Sequence, residues 1–239
     1  MFHEDVWHSG RRREPSMTLQ NIYSVGETGI GVARDDLTKM TYVEAVVNAA
    51  NETLLGGGGV DGAIHRAAGP RLLDECRTLG GCETGGAKIT DAYDLPCRKI
   101  IHTVGPVWQG GDRNEAELLA SCYRNSLQVA ADNGIRTIAF PSISTGIFSY
   151  PLDEAAYIAV HAVLEFVDAH PGELAIVLWA CIDDRTQAVY QRALGQAAAE
   201  NDFEMHPGMM VVASELDISK AVKEMFIGAE DDAPSEYLS

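Results

Sequence analysis

The chain has 239 residues, a length that suits one α/β domain with extensions at its ends. Its formal charge of −17 argues against a nonspecific nucleic-acid binder, because such proteins need a basic face to displace phosphate counterions. No apolar run approaches the length of a transmembrane span, and no apolar segment follows the arginines at 11–13, so we expect neither membrane insertion nor an export signal.

The predicted elements alternate between strands and helices along the chain. Strands are predicted at residues 21–25, 29–34, 43–48, 87–95, 99–104, 136–141 and 174–180. Helices are predicted from residue 60 through residue 76, and at 114–133, 153–169 and 184–198. This alternation predicts a largely parallel sheet with helices on both faces and ligands beyond the carboxyl ends of the strands. The loops after Asn48 and Pro141 would then share one rim.

The composition divides the chain into three segments. Residues 1–20 are polar and aperiodic, which predicts a flexible N-terminal arm, and residues 21–200 carry the α/β domain. Residues 201–239 are predicted to be a C-terminal extension with a strand at 209–213, an amphipathic helix at 215–226 and an acidic tail. We favour an appended packing element over a regulatory one for this extension.

A glycine-rich loop is the most informative local feature. Residues 48–70 run from an apolar strand through four glycines, at 56–59, into a predicted helix. Without Cβ atoms, the backbone N–H groups of such a loop can approach a phosphate closely, and a helix N-terminus adds its dipole. Asp61 lies in the first turn of that helix, where a carboxylate would repel a phosphate. Its presence indicates chemistry beyond phosphate binding.

Common nucleotide-binding motifs do not fit this loop. A Walker loop would end in Gly-Lys-Ser/Thr, and a dinucleotide fingerprint would need Gly-x-Gly-x-x-Gly with a later acidic residue. The loop and the segments 84–90, 101–108 and 140–151 together resemble the macrodomain family, over roughly 170 residues. The resemblance implies a three-layer α/β/α fold with a mostly parallel mixed central sheet across residues 21–200. It is closest to the type that removes ADP-ribose from proteins and deacetylates O-acetyl-ADP-ribose.

The resemblance also implies roles for individual residues. Asn51 would orient the distal ribose and Asp61 would activate or position a water; alternatively, the substrate's own phosphate activates that water while Asp61 holds the sugar. Asp36 matches the residue that accepts from the adenine amino group, although Asp35 stands where the family usually has glycine. Further ligand-binding residues are implied at Leu37, Ala49, Gly57, Gly58, Gly59, Val60, Ser144, Thr145, Gly146, Ile147 and Phe148.

Other reactive side chains are interpreted as structural. Asn48 is expected to hold the loop through its amide, and His65 and His102 have no serine or cysteine nucleophile at a matching elbow. The cysteines are odd in number and include no Cys-x-x-Cys pair, which predicts reduced thiols in a cytoplasmic protein: Cys76, Cys82, Cys97, Cys122 and Cys181. No residues have metal-ligand spacing, so we expect no metal and no cofactor.

The functional expectation is therefore a metal-independent hydrolase of acyl-linked ADP-ribose. Its expected ligands and partners are ADP-ribose, O-acetyl-ADP-ribose and proteins mono-ADP-ribosylated on Asp or Glu. Two alternatives stay open: a reader that binds ADP-ribose without turnover, which would not need Asp61, and a regulatory module that acts through partner contact. The poly(ADP-ribose) glycohydrolase branch is disfavoured, because its glycine-rich loop is followed by paired glutamates whereas Val60 and Asp61 follow here.

Overall fold

The computed structural model describes residues 19–201 and 204–206, with side chains from residue 22 to residue 201. Its strands are β1 Leu19–Val25, β2 Thr28–Arg34, β3 Ala45–Ala50, β4 Ala87–Asp91, β5 Lys99–Val104, β6 Thr137–Phe140, β7 Ile176–Cys181 and β8 Glu204–His206. Its α-helices are α1 Gly59–Ala68, α2 Pro70–Thr78, α3 Glu115–Asp132, α4 Leu152–Ala169 and α5 Asp184–Asn201. A short 3₁₀ turn spans Leu37–Lys39.

The strands form one eight-stranded mixed sheet in the order β4-β5-β3-β6-β7-β2-β1-β8. The five central strands, from β5 to β2, are parallel, while β4, β1 and β8 pair antiparallel at the two edges. Every residue of β7 is buried, as expected for a parallel strand covered on both faces. The carboxyl ends of the parallel strands therefore lie along one rim.

Helices cover both faces of the sheet. One apolar cluster joins α1 and α2 to one face through Val46, Ile100 and Leu72, and a second joins α3, α4 and α5 to the other through Val47, Ile101 and Tyr123, among others. Alternate residues of each strand thus enter opposite cores. The predicted three-layer α/β/α architecture with a mostly parallel mixed sheet is confirmed.

The predicted elements agree with the structure except at a few boundaries. The helical pattern after the glycine loop is two helices, because Gly69, with φ of +80°, ends α1 and Pro70 begins α2. The fourth predicted strand ends at Asp91 rather than residue 95. Strand β8, which pairs with β1, was not predicted. The flexible arm was predicted at residues 1–20, but β1 already begins at Leu19. Residues 1–18 and the elements predicted at 209–226 lie outside the described residues.

The described cysteines form no disulfide, and the described helices are not membrane-spanning. The cysteines all lie in the described part of the chain, where each is free and buried. None of the described helices combines the length and apolarity that a membrane crossing requires.

Glu44 ties three strands together at the end of the sheet opposite the rim. Its Oε2 accepts hydrogen bonds from the N–H groups of Arg136, at 2.6 Å, and Thr137, at 3.2 Å. Its Oε1 accepts from Arg98 at 2.7 Å, while its backbone carbonyl accepts from the N–H groups of Arg98 and Lys99. The side chain therefore sets the starts of β5 and β6 beside β3.

We expect Glu44→Ala to lower the free energy of unfolding by about 2 kcal/mol, since hydrogen bonds to a charged group contribute about 1.5–3 kcal/mol. Urea denaturation would measure the change. The control is Glu165→Ala, an exposed residue of α4, which should change stability by less than about 0.5 kcal/mol. Equal losses in the two variants would contradict a role for Glu44 in holding the strands.

Candidate active site

A cavity of about 660 Å³ opens at the rim where the parallel strands end. The first glycine loop, between β3 and α1, forms one side, and the loop after β6 forms the other. Every residue predicted to bind or act lines this cavity: Asp36, Leu37, Ala49, Asn51, Gly57, Gly58, Gly59, Val60, Asp61, Ser144, Thr145, Gly146, Ile147 and Phe148. The fold thus gathers into one cleft residues that lie more than a hundred positions apart.

One wall of the cleft was not predicted from the sequence. The end of β7 and the start of α5 contribute residues that were not predicted: Ala180, Cys181, Ile182, Asp183 and Thr186. Ligands bind beyond the carboxyl ends of parallel strands, and β7 is such a strand, as are β3 and β6. This rule was enough to predict that residues after β7 line the cleft. Asp35, Thr38 and Gly105 also line the cavity without having been predicted.

The glycines of the first loop serve two different needs. Gly56 and Gly59 have φ of +87° and +60°, which glycine adopts without strain. Gly57 is needed for space: a Cβ there would lie 3.0 Å from Asp61 Oδ2 and 3.2 Å from Asn51 Nδ2. The carboxylate of Asp61 and the amide of Asn51 therefore converge on Gly57.

Asn51 orders the turn that follows β3. Its Oδ1 accepts hydrogen bonds from the backbone N–H of Thr53, at 3.0 Å, and from the Thr53 hydroxyl, while its Nδ2 donates to the carbonyl of Gly56 at 2.9 Å. These contacts are an Asx turn, and they fix the amide at the cavity wall. A turn role and a ligand-facing position are thus combined in one side chain.

Asp61 is almost completely buried, with 2% of its surface exposed. Its Oδ1 accepts a hydrogen bond of 2.8 Å from Asn48 Nδ2 and lies 3.5 Å from His65 Nε2. Its Oδ2 has no hydrogen-bond partner among the described residues. Burial raises the pKa of Asp61 above the ordinary value, while the hydrogen bond from Asn48 and the proximity of His65 act in the opposite direction. The Asn48 amide thus holds one carboxylate oxygen, and the other is buried beside Gly57 without a hydrogen-bond partner among the described residues.

Asn48 has a different contact from the one expected from the sequence. Its amide was predicted to hold the glycine loop, but in the structure Nδ2 is bonded to the Asp61 carboxylate and lies 3.0 Å from His102 Nδ1. Asn48 is completely buried in β3, on the same face of the sheet as Ala50. It therefore supports the carboxylate from beneath.

The second loop, at residues 142–150, is closed by its own hydrogen bonds. The Thr145 hydroxyl donates to Ser142, and the N–H groups of Tyr150 and Ser149 donate to the carbonyls of Ser144 and Gly146. The left-handed φ of Ser144, +64°, belongs to this tight path. The buried Ser144 Oγ has no hydrogen-bond partner among the described residues and packs against Gly105, where a Cβ would lie only 2.1 Å from it.

The two loops touch across the cleft. The Cδ1 atom of Ile147 lies only 2.9 Å from the position that a Cβ on Gly58 would occupy. The Phe148 carbonyl accepts from the Trp108 N–H at 2.9 Å, and the Trp108 ring packs on Tyr150 with centroids 4.6 Å apart. Ile147 therefore bridges the cleft, and Trp108 holds the second loop by a backbone hydrogen bond and a ring contact.

The end of the cavity near the 3₁₀ turn is acidic. Asp36 Oδ1 accepts from the Thr38 N–H and hydroxyl at 3.0 and 2.8 Å, and Oδ2 lies 3.1 Å from Lys39 Nζ. Partial burial raises the pKa of Asp36, but the hydrogen bonds from Thr38 and the contact with Lys39 outweigh this effect. The pKa of Asp36 is therefore lowered. Asp35, the departure from the family pattern, accepts from the Asp36 N–H and the Tyr42 hydroxyl. Its carboxylate thus holds the turn.

The rest of the described chain has a second cavity but no candidate metal site. A wider depression of about 760 Å³ lies between β4 and α3, lined by residues such as Glu52, Lys88 and Asn125, and holds none of the predicted site residues. Among the described residues, no three His, Cys, Asp or Glu side chains are placed to hold a metal ion together.

The geometry of the first loop can be tested with two helical glycines. A Cβ at Gly62 in α1 would lie 2.4 Å from the Gly57 carbonyl oxygen, whereas at Gly195 in α5 the nearest atom, the Tyr23 hydroxyl, is 3.4 Å away. We expect Gly62→Ala to cost about 1–3 kcal/mol in urea unfolding, because the loop backbone must shift. Gly195→Ala should be neutral or stabilising by up to about 1 kcal/mol. A Gly62→Ala protein as stable as Gly195→Ala would contradict the close packing.

Comparison with known proteins agrees with this architecture. The model of the Macro domain matches residues 47–159. A macro domain-containing protein of Chlorobaculum tepidum is 60% identical over 165 residues, covering 69% of this chain and 95% of that protein. An O-acetyl-ADP-ribose deacetylase of Enterobacter cloacae is 51% identical over 175 residues, covering 72% of this chain and 96% of that protein.

A solved structure shows the same fold. The Oceanobacillus iheyensis macrodomain with ADP superposes with a TM-score of 0.71 and 38% identity, covering 76% of this chain and 98% of that chain. High identity over nearly the whole length of the relatives, the matching family model and the shared fold lead to one conclusion. The chain belongs to the macrodomain family.

Proposed function

We propose that this protein binds ADP-ribose and hydrolyses acyl esters of it, both O-acetyl-ADP-ribose and ADP-ribose linked to Asp or Glu of proteins. The observation that carries the proposal is the convergence of Asp61 Oδ2 and Asn51 Nδ2 on Gly57 at the cavity wall. The similarity to relatives named O-acetyl-ADP-ribose deacetylase, at 51% and 56% identity, supports the deacetylase part. The protein-linked substrate extends the same ester chemistry to a larger acyl group.

The two loops supply the means to bind a pyrophosphate without a positively charged pocket. Gly58 caps α1, so the N-terminal N–H groups of that helix face the cavity, and the backbone of residues 145–148 lies opposite. A chain with a net charge of −17 attracts an anionic ligand poorly at long range. Short-range hydrogen bonds from these backbone groups would provide the affinity instead.

Asp61 is proposed to act as the general base. Its free Oδ2 takes a proton from a water while the water oxygen attacks the ester, and that proton passes to the departing oxygen. One water is consumed, and the products are ADP-ribose and the free acid. Asn51 holds a hydroxyl of the distal ribose so that the ester faces this water. In the alternative, the substrate's phosphate activates the water and Asp61 positions the sugar.

Two finer features also belong to this proposal. The reaction needs no metal ion, because a carboxylate and fixed amides supply both the base and the orientation; turnover that survives a chelator would support it. A cytoplasmic location is consistent with the reduced, buried cysteines.

We expect Asp61→Asn to reduce ester hydrolysis by about 100-fold or more, since general bases contribute about 10²–10⁴-fold. ADP-ribose affinity, measured by calorimetry, should stay within a few fold, because Asn has nearly the same volume beside Gly57. Both O-acetyl-ADP-ribose and an aspartate/glutamate-ADP-ribosylated protein should be assayed, and Asp168→Asn, an exposed residue of α4, should leave turnover unchanged.

The outcomes separate the candidate functions. Binding without turnover by the unmodified protein would sink the hydrolase and leave the reader. Turnover that survives in Asp61→Asn would reject Asp61 as the base and favour activation by the substrate phosphate.

A further inference from the structure

A chain of buried polar side chains continues from Asp61 into the sheet. Asn48 of β3 and His102 of β5 are register partners in adjacent parallel strands. Thr90 of β4 lies on the same sheet face, two residues from Lys88, which is opposite His102. Asn48 and His102 have no exposed surface, and 2% of Thr90 is exposed. This face lies beneath α1 and α2, so the three side chains stand directly behind the carboxylate.

The contacts define the direction of each hydrogen bond. His102 Nδ1 lies 3.0 Å from Asn48 Nδ2, which is only a donor, so Nδ1 must accept. The proton of the neutral ring is then on Nε2, which lies 2.9 Å from Thr90 Oγ1 and 3.9 Å from Cys76 Sγ. Burial, with a smaller effect of His65, lowers the pKa of His102 to about 3. The ring is neutral at physiological pH.

The orientation of the Asn48 amide depends on two acceptors. The two hydrogens of Nδ2 go to Asp61 Oδ1 and His102 Nδ1, while Asn48 Oδ1 has no partner among the described residues. If the amide were reversed, its oxygen would face the carboxylate at the same 2.8 Å and would repel it. The accepting nitrogen of His102 thus favours the one amide orientation that donates to Asp61.

We propose that His102 is a positioning residue for the hydrolysis: its accepting Nδ1 fixes the amide of Asn48, which in turn holds Asp61 with Oδ2 turned toward the substrate. The sequence interpretation assigned His102 a structural role, and the ring does not line the cavity. Its effect reaches the reaction only through Asn48. The inference rests on the proposed function, in which Asp61 is the base.

The side chains around His102 come from every element packed on it. His65 faces it from α1, Cys76 from α2, Asn48 from β3 and Thr90 from β4, and Asp61 is joined to it through Asn48. His102 itself is neutral near neutral pH, and so is the Cys76 thiol, because burial raises its pKa to about 11. Substitutions at His102 therefore act on Asp61 by way of the amide and not by removing a charge.

The test uses three substitutions that differ in which ring nitrogen they imitate. In His102→Asn the side-chain oxygen can take the place of Nδ1 and accept from Asn48, whereas His102→Gln places its polar atoms at the distance of Nε2, and His102→Leu has none. We expect kcat to fall by about tenfold or more in His102→Gln and His102→Leu, because the hydrogen bond from Asn48 to the charged Asp61 is weakened. In His102→Asn, kcat should be largely retained. ADP-ribose affinity should stay within a few fold in all three.

A purely structural role predicts another order. Asn is the smallest of the three and would leave the largest gap, so if packing alone mattered it would be at least as damaging as Leu. That order, or equal kcat in all three folded variants, would overturn the inference. If the unmodified protein has no turnover, the proposed function fails instead, and the comparison moves to spectroscopy.

Spectroscopy tests the contact without any assay of activity. Imidazole ¹⁵N shifts should show that the His102 ring is the Nε2–H tautomer and stays neutral down to at least pH 5. The ¹³C-detected titration of the Asp61 carboxyl should move to higher pH in His102→Leu and stay near the original in His102→Asn, because the bond from Asn48 lowers its pKa. An Nδ1–H tautomer, or an Asp61 titration unchanged in His102→Leu, would overturn the inference.

Discussion

The burial of one carboxylate is the constraint on which the rest of the site depends. A buried charge is stable only where hydrogen bonds or opposite charges replace water, and Asp61 receives its main hydrogen bond from Asn48, a side chain in the middle of the sheet. This requirement fixes α1 against β3. It also leaves the second oxygen, Oδ2, beside Gly57, where no Cβ stands between it and the cavity.

The parallel sheet brings the other parts to the same place. β3 and β6 are neighbours, so the turn at Asn51 and the loop of residues 142–150 meet although their sequences are far apart. Ile147 closes the distance by packing on Gly58. In the proposed function, the first loop carries the polar groups for the ester and both loops carry the backbone for the phosphates, while the buried polar side chains of Asn48, His102 and Thr90 lie in the sheet behind them.

Much of the fold and of the cleft could be predicted from the sequence, because both depend on local patterns. Alternating apolar runs predicted the strands, and the resemblance to the macrodomain family, which the glycine loop and the other motifs carry, implied the cleft residues. Three features depend on tertiary register and could not be predicted. The Asn48 amide meets Asp61 only because α1 lies over β3; β8 pairs with β1 far away in sequence; and Gly57 is needed for space, which the loop sequence does not distinguish from a need for positive φ.

The central claim is that the ionised Asp61 carboxylate drives the hydrolysis. Burial raises its pKa, and a general base works only when ionised, so activity should be present above that raised pKa and lost as the pH falls through it. The most direct measurement compares kcat/KM for O-acetyl-ADP-ribose across the acidic range with the NMR titration of the Asp61 carboxyl in the free protein. The account predicts that both have the same midpoint, above the ordinary value for aspartate. A kcat/KM that stays constant while Asp61 becomes protonated would contradict it.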